Sequence, residues 1–268
     1  MSLRLISNTA FSTDLPFIEL DDVIIGRRSE CKGLYDFTNT DCVSNTTQIG
    51  SGSKLKSLTN DRAETKTAAA MSASPIVDGW FRPPSGYSVP LSPLMKLPTT
   101  CKKYLCILNM QASSTGTAGL LCSFFAHMSA NNQWQYGIGC QYDSNGNIQN
   151  IRFFIPNTSS AAQALIVTDT NVLSAIFDGN KHQVAYEWGG TAGTSATVKI
   201  YVDAVLVATK TVAFADAILN ITGNPIVGSS SPFGGNTPTS FLCARPSLWD
   251  LTGSSINTMD ILGEDLAV

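Results

Sequence analysis

Two neighbouring stretches decide how this chain folds: residues 177–185, FDGNKHQVA, and residues 198–207, VKIYVDAVLV. In the second stretch Val198, Ile200 and Val202 fall on one face of an extended chain, and the lysine and tyrosine between them fall on the other. The DGN of the first stretch has the composition of a tight turn between strands. The two stretches therefore predict antiparallel strands with a buried face.

The same kind of short extended run, bounded by turn residues, recurs along most of the chain. The predicted strands cover residues 103–110, 120–128, 134–138, 148–155, 181–187, 196–203, 205–212, 226–228 and 241–250. Helical periodicity is almost absent. Short strands at turn spacings of about 8–12 residues predict an all-β sandwich or barrel.

Residues 1–74 do not have the composition of a compact domain. Apolar islands at 15–18 and 23–25 are separated by long turn-prone polar stretches. Residues 54–71 are predicted to form one polar helix, because the alanines at 68–70 favour it. We expect residues 1–74 to be an arm that becomes ordered on assembly, with a plain linker as the alternative, and residues 75–268 to form the sandwich.

Composition argues against two classes of partner. Only 14% of residues are charged and the net charge is −3, whereas nucleic-acid binding requires clustered Lys and Arg. No run approaches the roughly 18 apolar residues of a membrane span, and the first 11 residues lack the apolar segment of a signal peptide. We therefore expect a soluble protein made in a cytoplasm, with no nucleic acid and no membrane span.

No cofactor is predicted. The seven cysteines contain no C-x-x-C pair and only two histidines accompany them, so a zinc site is not expected, and the cysteines are interpreted as buried free thiols. Asp143, Asn145 and Asn147 form a D-x-N-x-N loop. Calcium binding is one interpretation of this loop, but the glutamate and glycine spacing of an EF-hand is missing, which favours a plain tight turn.

Four segments in order, the two quoted above followed by residues 225–228, PIVG, and 244–250, ARPSLWD, resemble the laminin-G-like and pentraxin-like domains of the concanavalin-A-like lectin and glucanase superfamily. The resemblance extends from about residue 80 to residue 250. It implies a jelly-roll β-sandwich of two antiparallel sheets, here preceded by the extended N-terminal arm.

The chain departs from the family pattern at two positions. Lys181 stands where the family has a tryptophan, and Ala204 stands where its hairpin has a glycine. Ala204 is therefore expected to avoid a positive φ, or the turn is expected to change type. His182 matches the family's structural histidine, so the resemblance implies a packed strand residue rather than a catalytic base.

Enzymatic activity is not expected. Retaining glycosidases of this class carry two carboxylates on one strand as E-x-D-x-E, and this chain has no such motif. From residue 80 onward the only glutamates are Glu187 and Glu264. There is no G-x-S-x-G elbow, and neither His127 nor His182 has a triad context.

A glycan site would need an exposed aromatic platform beside hydrogen-bonding side chains. The best candidate in the sequence is Asn131, Asn132, Trp134 and Tyr136, at the turn into a predicted strand. The alternative is that both aromatic rings of this group pack in the core. Trp188 is a second candidate platform, and Trp249 is expected in the core.

A low-charge, β-rich chain with an N-terminal arm and a lectin-like domain fits a bacteriophage virion component of the tail, baseplate or capsid. The arm would bind other virion proteins, the chain would form homo-oligomers such as trimers, and the sandwich would face host glycans. The alternatives are a structural decoration protein without a ligand, a non-viral lectin exported without a cleaved signal, and an altered glycan-processing enzyme.

Overall fold

The computed structural model describes residues 28–59, 64–84, 87–129, 133–157, 164–213, 215–228 and 241–267. Within these residues the chain is almost entirely β-structure. The strands are β1 (Cys31–Leu34), β2 (Gln48–Ile49), β3 (Lys54–Lys56), β4 (Glu64–Lys66), β5 (Ser74–Val77), β6 (Trp80–Phe81), β7 (Val89–Pro90), β8 (Lys103–Ser113), β9 (Leu121–Met128), β10 (Trp134–Tyr142), β11 (Ile148–Phe154), β12 (Ala164–Val167), β13 (Asp178–Gly190), β14 (Ala196–Val202), β15 (Val205–Val212), β16 (Ile226–Val227) and β17 (Leu242–Asp250). The helices are α1 (Thr170–Ile176) and α2 (Thr258–Leu266).

Two antiparallel sheets make up the sandwich. The larger has the order β15-β14-β13-β8-β17-β6-β5-β2, with β1 also paired to β17, and the smaller has the order β12-β11-β10-β9-β16-β7. Strands β3 and β4 form a separate hairpin. The predicted all-β sandwich is confirmed, and so are the strands predicted between residues 103 and 250.

The alternation in residues 198–202 has the expected structural meaning. Val198 and Ile200 are fully buried on the inner face of β14, while Lys199 faces outward. The DGN sequence, however, does not join two strands. It lies at the start of β13, where the register against β8 shifts between Asp178 and Lys181.

Buried tyrosines join the two sheets across the interior. The Tyr186 hydroxyl of β13 donates to the Phe154 carbonyl of β11 at 2.7 Å and accepts from the Gly137 N–H of β10 at 3.0 Å. The Tyr104 ring packs edge-on against Tyr186, with ring centroids 5.7 Å apart. Hydroxyls that are buried need such partners, so these bonds fix the spacing of the sheets.

Helix α2 covers the outer face of the larger sheet. Its Ile261 and Leu262 are fully buried, and Thr258 donates to the carboxylate of Glu187 on β13. β8 and β13 are therefore buried on both faces over much of their length. Among the described residues, no helix has the length and apolar character needed to cross a bilayer.

The predicted boundary at residue 74 does not separate two packing units. β1 pairs with β17, β5 joins β2 to β6, and Leu34, Phe37 and Ile49 are fully buried in the core shared with the sandwich. The correction concerns residues 28–59 and 64–74. Residues 1–27 of the predicted arm lie outside the described residues.

The helix predicted over residues 54–71 is also wrong. Strands β3 and β4 pair as a hairpin there, with Leu55 opposite Thr65 and both side chains buried, while Lys54 and Glu64 are exposed. The Thr65 hydroxyl donates to the Pro90 carbonyl at 2.9 Å. Packing against the sandwich outweighs the helix propensity of the nearby alanines, because that propensity amounts to only about 0.7 kcal/mol per residue at most.

The turn between β14 and β15 keeps the geometry that a glycine would favour. Asp203 has φ 49° and Ala204 has φ 59°, so both central residues are left-handed, as in a type I′ turn. The expectation that Ala204 avoids a positive φ is therefore wrong. The twist of the hairpin determines the turn, at a cost of roughly 1 kcal/mol for the alanine.

Candidate functional site

A groove runs along the outer face of the larger sheet beside α2. It consists of a first cleft of about 460 Å³ and a second of about 510 Å³. Asp78, Trp80 and Lys181 line both clefts, so the two adjoin. We call these two clefts together the Trp80 groove.

The hairpin of β5 and β6 presents Trp80 to the groove. Its turn, Asp78 with φ 50° and Gly79 with φ 76°, is again of the left-handed kind. The next residue after Trp80, Phe81, is fully buried, and because side chains alternate along a strand, Trp80 faces the other way and is partly exposed. The Lys181 ammonium lies 4.8 Å from the centre of its ring, a cation–π contact.

The floor of the first cleft contains a buried amide with a free acceptor. The Gln183 Nε2 donates to the Leu262 carbonyl at 3.0 Å and to the Asp265 carboxylate at 2.8 Å, which fixes the orientation of the amide. Its Oε1 is buried and has no hydrogen-bond partner among the described residues. Such an acceptor costs about 1–3 kcal/mol, which a ligand donor would offset.

A buried ion-pair network lies beside this amide. Arg245 of β17 donates to Asp36 at 2.9 Å, and its Nε lies 3.5 Å from an oxygen of Asp265. Burial raises the pKa of Asp265, and the charge of Arg245 with the hydrogen bonds from Gln183 and Asn109 opposes this only in part. The carboxylates of the network balance the charge of Arg245, and their contacts link β17 to α2 and to the segment after β1.

The rim of the first cleft contains a histidine between two carboxylates. The His182 Nε2 lies 2.9 Å from Asp178 and its Nδ1 lies 2.7 Å from Asp203. Partial burial disfavours the imidazolium, but the hydrogen bonds and charges of Asp203 and Asp178 outweigh it, so the pKa of His182 is raised. The backbone N–H of Asn180 and then the His182 hydrogen bond lower the pKa of Asp178 to about 2. His182 is therefore a largely buried residue of strand β13, as the resemblance implied, and it is held in an ion pair at the rim.

The structure does not place the predicted aromatic platform on the surface. Trp134 is fully buried and stacks on Phe154 with ring centroids 4.0 Å apart. Tyr136 is also fully buried, and its hydroxyl donates to the Met95 carbonyl at 2.7 Å. For these two residues the platform prediction is wrong and the core alternative is confirmed. Asn131 and Asn132 lie outside the described residues.

The second candidate platform, Trp188, also belongs to the interior, and Trp249 lies in the core as expected. Trp188 is 2% exposed and stacks on Tyr104, and Trp249 is 1% exposed. His127 is buried with its Nδ1 3.0 Å from the Gln135 side-chain oxygen, and burial lowers its pKa to about 4. Trp80 is thus the one tryptophan of the four that is partly exposed.

Glu187 lies outside the Trp80 groove and fastens α2 to the sheet. Its carboxylate lies 3.1 Å from the Lys103 ammonium and 3.5 Å from that of Lys199, and it accepts from Thr258. Burial acts to raise its pKa, but the hydrogen bonds from Thr258 and Lys103 and the two lysine charges outweigh this and lower it. This is the environment of a structural ion pair.

The loop considered for calcium has the geometry of a turn. An oxygen of Asp143 accepts the backbone N–H groups of Asn145 at 2.8 Å and Asn147 at 2.9 Å. Among the described residues, no group of three or more His, Cys, Asp and Glu side chains is arranged to hold a metal ion. All seven cysteines are buried, and none of them forms a disulfide.

Sequence reasoning missed Trp80, although a signal for it was present. Val77 and Trp80 flank an Asp-Gly pair, the commonest signature of a two-residue hairpin turn.

Comparison with known proteins yields similarity at the level of fold. No protein-family model matches the chain, and no curated protein matches it by sequence. Among solved structures, it is similar to the binding domain of botulinum neurotoxin serotype D, with TM-score 0.55 and 12% identity over 85% of this chain and 52% of that one. It is similar to the receptor binding domain of a botulinum neurotoxin C/D mosaic serotype, with TM-score 0.54 and 9% identity over 89% of this chain and 51% of that one.

A sialidase from Trypanosoma rangeli, in complex with 2,3-difluoro-KDN, also resembles the chain, with TM-score 0.50 and 14% identity over 90% of this chain and 33% of that one. The chain spans about half the length of the toxin domains and a third of the sialidase. At these identities the shared feature is the β-sandwich, which receptor-binding domains and an enzyme both use.

Proposed function

We propose that the chain is a glycan-binding protein whose binding site is the Trp80 groove. The observation that carries the proposal is a partly exposed indole beside a buried side-chain acceptor, Gln183 Oε1, that has no partner among the described residues. Sugars present C–H faces that pack on aromatic rings and hydroxyls that donate to such acceptors. The groove combines both within one concave surface.

Each polar group of the groove has a role in this proposal. Trp80 packs against the face of a sugar ring, and a hydroxyl of the same ligand donates to Gln183 Oε1. The carboxylate of Asp78, which lines both clefts, accepts from a second hydroxyl. The hydrogen bonds from Gln183 to Leu262 and Asp265 hold the amide acceptor in place, so it needs little ordering when the ligand binds.

The carboxylates of the groove are suited to binding a glycan rather than to hydrolysing it, because most of them contact cations of the protein. Retaining glycosidases use a nucleophile and an acid about 5 Å apart, both available to the substrate. In the Trp80 groove Asp36 and Asp265 contact Arg245, and Asp203 contacts His182. We propose that no reducing sugar is released from a bound glycan.

The fold comparisons support this proposal by analogy only, since two of the similar structures are named as binding domains.

The virion assignment remains a hypothesis motivated by composition and by the N-terminal region. Under it, the sandwich would face host glycans while residues 1–27 bind other virion proteins. Deleting residues 1–27 is then expected to abolish assembly into homo-oligomers, measured by light scattering, and to leave glycan binding intact.

A glycan panel probed with the full chain tests the proposed function. We expect saturable binding to a subset of glycans, and loss of that binding in Trp80→Ala. Ile166→Ala is the matched control, because Ile166 is a 50% exposed apolar residue on β12, in the other sheet. Absence of binding to any glycan, or full binding by Trp80→Ala, would contradict the proposal.

A further inference from the structure

We infer that the ligand of the Trp80 groove carries an anionic substituent, a sugar carboxylate or sulfate, which Lys181 and Arg82 bind in the second cleft. The inference rests on the proposed function and specifies its ligand class. It comes from a difference between the two clefts: carboxylates of the protein pair with Arg245 and His182 in the first cleft, and no such pairs form among the described residues of the second.

Of the cations that line the first cleft, Arg245 and His182 are neutralised by the protein itself, while Lys181 lies where the two clefts adjoin. Arg245 is 2.9 Å from Asp36, with Asp265 on its other side, and His182 lies between Asp178 and Asp203. A cation with such partners has little remaining attraction for an external anion, because the nearby carboxylates repel the anion as strongly as the cation attracts it. The first cleft therefore suits neutral hydroxyls.

In the second cleft the cations have no such partners. Arg82 and Lys181 both line it and both are exposed, and within the described part of the chain no carboxylate lies within 4.0 Å of either charged group. The Lys181 ammonium is held over the Trp80 ring, whose π-face attracts it without neutralising its charge. Two cations thus stand beside the proposed sugar platform.

The remaining lining of the second cleft determines how an acidic sugar would be oriented. Among the described residues that line it, Asp78 is the one carboxylate, at the turn end beside Trp80, while Val77, Pro75 and Leu242 supply apolar surface. An anionic group is repelled from the Asp78 end and attracted to Arg82, whose planar guanidinium can form two parallel hydrogen bonds with a carboxylate or sulfate. The sugar ring then remains over Trp80.

The test uses the full chain on a panel in which each neutral oligosaccharide is paired with its sialylated and sulfated forms, for example lactose, 3′-sialyllactose and 3′-sulfolactose. We expect the acidic form to bind roughly tenfold more tightly than its neutral parent, as for hydrogen bonds to charged groups. Arg82→Ala and Lys181→Ala should lower the affinity for the acidic form to that of the parent. The affinity for the acidic form should also fall as salt is added.

Lys210→Ala is the matched control, because Lys210 is exposed on β15 and lines neither cleft. Comparison of the sialylated and sulfated arms identifies the anion. Neutral forms bound as tightly as acidic ones, with dependence on Trp80, would overturn the inference and leave the proposed function standing. Absence of binding to every glycan would overturn both.

Discussion

The buried ion pair between Arg245 and Asp36 makes the sharpest prediction about the fold. Asp36→Asn removes the charge that faces the guanidinium at 2.9 Å, where the side chains are 7% and 6% exposed. Breaking a buried pair by removing one partner costs about 3–5 kcal/mol. Because Asp265 still lies 3.5 Å from Arg245, we expect the free energy of unfolding to fall by about 3 kcal/mol, the lower end of this range.

Urea denaturation followed by tryptophan fluorescence measures this loss. With a slope of about 2 kcal/mol per molar urea, the midpoint of Asp36→Asn should fall by about 1.5 M. The control is Glu264→Gln, which removes the carboxylate of a half-exposed pair with Arg28 and should cost less than about 1 kcal/mol. If the urea midpoint falls by the same small amount in both variants, Asp36 is not buried in the sandwich core. Residues 28–59 and 64–74 would then not belong to this folding unit.

Three further predictions address the core and the rim. Trp134→Ala should destabilise the chain by about 3–5 kcal/mol in the same urea assay, as for a large buried side chain, and a fully stable variant would contradict its burial. Gly139→Ala should cost more than about 1 kcal/mol, because its Cβ would lie 2.9 Å from the Phe154 ring and closer still to the Cys122 carbonyl oxygen, whereas Gly189→Ala, with nothing within 4 Å, should be nearly neutral. Because the pKa of His182 is raised in the folded state, its stabilising effect is fully present below pH about 6.5 and is lost as pH rises through the folded pKa. Wild type should therefore lose stability, by less than about 1 kcal/mol for a pair near the surface, in a urea titration repeated across that pH range, while His182→Gln should not show this step.

The long strands could be predicted because the information for them is local. In β14 apolar and polar side chains alternate within a few residues, whereas β8, β9, β10 and β17 are near-continuous buried runs, and turn residues mark the ends of strands of both kinds. Alternation also predicts that Trp134 and Tyr136 share a face, but the β9–β10 register shifts between them and the two rings lie in separate buried clusters. The residues that bury each ring, such as Phe154 beside Trp134, lie elsewhere in the sequence.

The strands before residue 90 could not be predicted in this way. Each has two to four residues, which is too few for a period, and several of their partners are distant: Cys31 lies opposite Trp249, and Phe81 lies opposite Cys243. The Trp80 groove is assembled from such long-range pairings, from α2 and from the bulge in β13. For that reason its residues do not form a motif in the sequence.

Observation of the four indole N–H signals during a glycan titration tests the central claim most directly. The full chain, labelled with ¹⁵N-tryptophan, would be titrated with the glycan that binds most strongly on the panel, and the Trp80 signal would be assigned from its loss in Trp80→Phe. The other three tryptophans are at most 2% exposed, so we predict that the Trp80 signal alone shifts saturably. Saturable binding that leaves the Trp80 signal unchanged would contradict the assignment of the site to this groove.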